Sequence, residues 1–108
     1  IRKKTVESTV NQYYYKIVGV VGGRFFSLFD GKTEYRLGEE VRPQGRGVFV
    51  YEQKEQADRN RPHLPKQSKL KGAPRVLIQV SPVGKPRHTK SDKISFDAVI
   101  FDKVIRRI

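Results

Sequence analysis

The sequence predicts a mostly β domain, a small antiparallel barrel or roll of about six strands with one short helix. Three observations point there. β-Branched and aromatic residues crowd positions 13–51 and return at 75–82 and 94–105. Two turn dipeptides, Gly22-Gly23 and Asp30-Gly31, separate apolar runs at hairpin spacing. No strand pattern alternates with a helical one in the manner of a parallel sheet. Closure is the expected arrangement, because it removes exposed strand edges.

Residues 1–12 are polar and mixed, and read as a tail or a first-strand extension. Residues 13–108 read as a single β-rich domain. If each dipeptide is a two-residue turn, opposite residues sum to 45 in the first hairpin and 61 in the second. Directly opposite residues share a face. One face then collects Tyr15, Ile17, Val21, Phe26, Leu28, Tyr35 and Leu37. The other collects Tyr14, Lys16, Val18, Val20, Phe25, Phe29, Lys32, Glu34 and Arg36. A slip of one residue would exchange the faces.

Gly38 ends the third strand, and 38–46 form a Gly/Pro loop. Val48-Phe49-Val50-Tyr51 is apolar on both faces and predicts an internal strand. Residues 52–60 are good helix formers with Ala57 as the one apolar contact, which gives a short surface helix. A basic connection covers 59–74. Arg75 to Val80 is a fifth strand, and 83–93 is a second basic connection. In the sixth strand Ile94, Phe96, Ala98 and Ile100 alternate, with Val99 and Phe101 covering its other side.

The 108 residues carry 23 Lys+Arg against 11 Asp+Glu, a formal charge of +12. Residues 59–93 alone hold 10 basic groups against one acid, Asp92. There is no cysteine, so disulfides, thiolate zinc sites and cysteine nucleophiles are excluded. No apolar run is long enough for a membrane-spanning helix. Ile1 stands where a start Met is expected, which suggests a piece of a longer chain. An intracellular location is the expectation.

Catalytic motifs are not evident. His63 and His88 lie in cation-rich loops without a helical i, i+4 partner, a poor setting for a metal. Asp92, Asp97 and Asp102 alternate between strand faces and do not converge. Gly22-Gly23-Arg24 and Gly45-Arg46-Gly47 match neither phosphate-loop pattern. No cofactor and no enzymatic activity are expected.

The basic residues carry the functional expectation. Arg59, Arg61, Lys66, Lys69, Lys71, Lys85, Arg87, Lys90 and Lys93 fall in two proline-bearing connections, where a polyanion gains by counterion release. Lys16 and Arg36 are interleaved with Phe25 and Phe29 on the second sheet face. Rings there could stack bases while cations follow phosphates. Val18 and Val20 on that face favour the plainer alternative, a face packed under another layer. The combination is similar in general form to oligonucleotide-binding barrels, an analogy that assigns no residues. The expected function is non-catalytic binding of nucleic acid, RNA or single-stranded. The alternative is an interaction or assembly domain docking on an acidic protein surface.

Overall fold

The computed structural model describes residues 13–44, 47–59, 70–90 and 93–108. They form one antiparallel sheet of nine strands with one short helix. The class is mostly β, as predicted; the sheet is not closed, so the predicted barrel or roll describes it only loosely.

The first hairpin joins β1 (Tyr14–Val21) to β2 (Arg24–Ser27). Gly22 and Gly23 both take positive φ, 59° and 77°, the backbone that a two-residue turn needs. The register runs from Val18↔Ser27 to Val21↔Arg24, the predicted sum of 45.

The second hairpin departs by one residue. β3 (Glu34–Tyr35) pairs Phe25↔Tyr35 and Phe26↔Glu34, a sum of 60. The cause is Asp30. Its carboxylate accepts hydrogen bonds from Lys32 N (2.8 Å), Thr33 N (3.0 Å) and Thr33 Oγ1 (2.6 Å). Gly31 N also donates to Ser27 O, and Ser27 N to Thr33 O. The result is a wider side-chain-capped loop in place of a two-residue turn. The slip moves Tyr35 to the face of Phe25 and Val18, where it is buried, and Leu37 lies in the turn beyond β3 and is exposed.

The remaining elements also refine the prediction. The loop at 38–46 contains a two-residue strand, β4 (Glu40–Val41). β5 (Val48–Tyr51) has the predicted bounds, but Phe49 is exposed. The helix is α1 (Lys54–Arg59), with Ala57 buried. β6 (Arg75–Val83) outruns its prediction, and the connection after it contains β7 (His88–Lys90). The predicted sixth strand is two, β8 (Lys93–Phe96) and β9 (Ala98–Arg107), parted at Asp97. β8 pairs with β5 and β7, whereas β9 pairs with β6 and β4, so Asp97 is where the chain changes neighbours.

The order is β4-β9-β6-β1-β5-β8-β7, with β2 and β3 branching from β1. Val41 of β4 and Phe96 of β8, far apart in that order, bury in one inner cluster with Val18, Tyr35, Ile78 and Phe101. The sheet therefore curls around this cluster. Edge-to-face ring pairs join distant strands across it: Tyr14 with Phe96 at 5.0 Å, and Phe25 with Phe101 at 5.3 Å. A smaller outer cluster places Ile17, Leu28, Tyr51 and Leu77 under Ala57 and Leu70.

Gly47 has a steric role at the entrance to β5. A Cβ there would meet Phe96 O at 2.7 Å and Ser95 Cβ at 3.3 Å. Gly47→Ala forces the β5–β8 ladder apart, and is expected to cost about 1–3 kcal/mol. Urea unfolding of the variant checks this, and an unchanged midpoint would contradict it.

Candidate functional site

The sheet forks at β1. On the edge away from β6, β1 pairs with β5 at Tyr15↔Tyr51 and with β2 from Val18↔Ser27 onward. Both partners are antiparallel to β1, so continuing either pairing would put both on the same stretch of edge. They splay apart instead, and Lys16 and Ile17 pair with neither of them.

The opening holds two adjoining cavities. The first, about 400 Å³, borders inner-cluster residues Tyr35 and Val48 and is also lined by Ser27, Asp30 and Thr33. The second, about 200 Å³, borders outer-cluster residues Ile17, Leu28, Tyr51 and Ala57, with Lys93 at its margin. Lys16, Phe29 and Phe49 line both.

Lys16 is half-buried, and its Nζ donates to Phe49 O at 2.9 Å across the gap. Burial lowers its pKa to about 8, with the Lys93 charge adding to the effect and Asp30 opposing it. Lys93 Nζ lies 5.8 Å from the centroid of the Phe49 ring. Partial burial pushes the Asp30 carboxyl up, but the hydrogen bonds from Thr33 and Lys32 outweigh it and hold the group below its ordinary value. Burial, then Asp30, raises the Tyr35 phenol far above its ordinary value, so it stays protonated. The opening thus combines an ammonium whose pKa is lowered to about 8, a second cation, a fixed carboxylate and two exposed rings.

The structure sorts the residues predicted from sequence. Lys16 and Phe29 come together in the fork, with Phe29 66% exposed. Phe25 is half-buried and packs with the inner cluster, as Val18 does, which is the packed-face alternative for both. Arg36 Nη2 lies 3.4 Å from Glu34, which already takes a bidentate pair from Arg24 at 3.0 and 2.7 Å. Those bonds hold the Glu34 pKa at about 2. Arg87 pairs with Asp97 at 3.2 Å. Arg59, Lys71 and Lys85 are exposed outside the fork, and Lys90 pairs with Lys93 in the β7–β8 register. Arg61, Lys66, Lys69 and His63 lie outside the described residues.

Phe49 escapes the sequence reading, and Lys93 is legible there only as one more cation of the 83–93 connection. Phe49 sits in an unbroken apolar run, and its exposure follows from the divergence of β5 from β1. Lys93 sits beside it because β5 and β8 pair Phe49↔Ser95 and Tyr51↔Lys93. Among the described residues, no group of three or more His, Cys, Asp or Glu gathers to hold a metal. No described helix is long and apolar enough to cross a membrane. No family model, curated protein or solved structure matches the chain.

The Lys16 shift has a stability consequence. Its folded value, about 8, lies below the ordinary 10.5. Between these values the unfolded chain binds more protons, so stability rises with pH from about 8 to 10.5. The raised values of Tyr14 and Tyr35 act in the opposite sense above pH 10, where unfolded tyrosines ionise first. Lys16→Met is expected to remove the rise between pH 8 and 10. Urea midpoints across that range test this, and parallel profiles for the variant and the parent chain would contradict it.

Proposed function

We propose that this chain is a non-catalytic β domain that binds single-stranded nucleic acid, RNA or DNA, across the fork in its sheet. The observation that carries the reading is the pairing of exposed Phe29 and Phe49 with the Lys16 and Lys93 ammoniums around one opening. Every base has a π-face, so aromatic rings hold strands without reading sequence, while cations track the phosphates.

The wider charge supports the same reading. The net +12 draws in a polyanion, and exposed Arg59, Lys71 and Lys85 extend the field beyond the fork. The helix α1 spans only six residues and covers the outer cluster through Ala57, so it does not suit major-groove reading. Single strands fit better than duplex, because stacking requires unpaired bases.

The test is fluorescence anisotropy with a short unstructured oligonucleotide across a salt series. Log affinity should fall linearly with log salt, by about 0.7 per phosphate neutralised. Phe29→Ala and Phe49→Ala should each weaken binding by about 1–3 kcal/mol. The matched duplex should bind less well. No binding at low salt, or a response flat to salt, would overturn the proposal. Capture of an acidic protein that survives nuclease treatment, without oligonucleotide affinity, would point to protein docking instead.

A further inference from the structure

We propose that Lys16 is a carbonyl-reactive amine, and that the cavity beside it accepts a small aldehyde bearing an anionic group, which Lys16 captures as an imine. This goes beyond strand binding and does not depend on it.

The geometry supplies each part. Lys16 projects from a strand stretch paired on one edge only, into an opening of about 400 Å³. Its Nζ donates to the Phe49 carbonyl at 2.9 Å. A neutral amine keeps that bond through one N–H and leaves its lone pair for a carbonyl carbon. Phe29 and Phe49 wall both cavities and suit a planar, unsaturated aldehyde. Lys93, over the Phe49 ring and lining the second cavity with Lys16, is placed for the anionic group.

The chemistry balances without an oxidant or reductant. The Lys16 nitrogen forms a bond to the aldehyde carbon, and the carbonyl π pair moves to oxygen. A proton passes from nitrogen to that oxygen, giving the carbinolamine. The hydroxyl then takes up a proton, the C–O bond breaks as the nitrogen lone pair forms the C=N bond, the remaining N–H proton is lost, and one water leaves. Solvent entering the opening carries these proton transfers, because Asp30 is held below and Tyr35 far above its ordinary pKa.

The titratable groups facing the amine are Asp30 and Tyr35 from the β2–β3 side, Tyr51 from β5 and Lys93 from β8. With a pKa of about 8, roughly a quarter of the Lys16 amine is neutral at pH 7.5, against about one part in a thousand for an ordinary lysine. Desolvation beside another cation is a general route to an activated lysine.

The probe is pyridoxal 5′-phosphate, an aldehyde with a phosphate, with cyanoborohydride to reduce the imine to a stable amine. Peptide mass mapping of the wild-type chain then compares lysines within one molecule. Lys16 should label at least about tenfold faster than exposed Lys85 and Lys103, with a rate that rises through about pH 8. Lys93→Gln should slow pyridoxal phosphate more than phosphate-free pyridoxal. Lys16→Arg keeps the charge and should lose the fast label, and because labelling of the wild-type chain is read without any oligonucleotide, its outcome is separate from that of strand binding. Even labelling across the lysines would overturn the reactive amine. Equal slowing of the two aldehydes by Lys93→Gln would overturn the anionic requirement.

Discussion

One edge of β1 is shared by two strands, and the rest of the molecule follows from that constraint. A strand edge can hydrogen-bond one neighbour at each position. β5 takes the Tyr15 end and β2 takes the end beginning at Val18. The other edge of β1 is occupied by β6 from Tyr14 to Gly19, so β1 has no room to shift. Divergence of β2 and β5 curls the sheet around the inner cluster and opens it at Lys16. The sheet stays unclosed because its two arms leave β1 in different directions. The bond from Lys16 Nζ to Phe49 O spans the gap between β1 and the diverging β5.

The same constraint sorts the charge. The +12 of the sequence is not uniformly available to a ligand. Several arginines sit in ion pairs on the sheet surface: Arg24 and Arg36 on Glu34, Arg42 on Glu40, Arg87 on Asp97, and Arg106 on Asp58. Such exposed pairs contribute little stability each. They do reduce the share of the positive field carried by those arginines. Lys16 and Lys93 instead face an opening walled by rings. The guanidinium fork suits bidentate carboxylate pairing, whereas an ammonium readily shifts its pKa on burial.

What was legible in the sequence divides along the same line. Gly22-Gly23 meets a backbone requirement that its local residues alone dictate, so the first register could be read directly. Asp30-Gly31 looked equivalent, but the Asp30 side chain competes for backbone donors and lengthens the loop. That single competition moved Tyr35 from one face to the other. β5 was legible as a strand, yet the exposure of Phe49 was not, because it depends on a neighbour distant in sequence. Phe25 was placed on the right strand face, but only the curl of the sheet brings Phe101 against it. Charge density pointed to the connections at 59–74 and 83–93, and local composition could not reveal Lys16 and Lys93 as neighbours. Lys16 is marked in the sequence only by its interleaving with aromatics, a signal of period two.

The fork itself is most directly tested by cross-strand nuclear Overhauser contacts in the labelled protein. The account predicts backbone contacts for Tyr15–Tyr51 and Val18–Ser27 in the same molecule, with none from Lys16 or Ile17 to β2 or β5 as paired strand residues. Continuous pairing of β1 with β5 through Val18 and Val48, or with β2 through Lys16 and Phe29, would close the opening and contradict it.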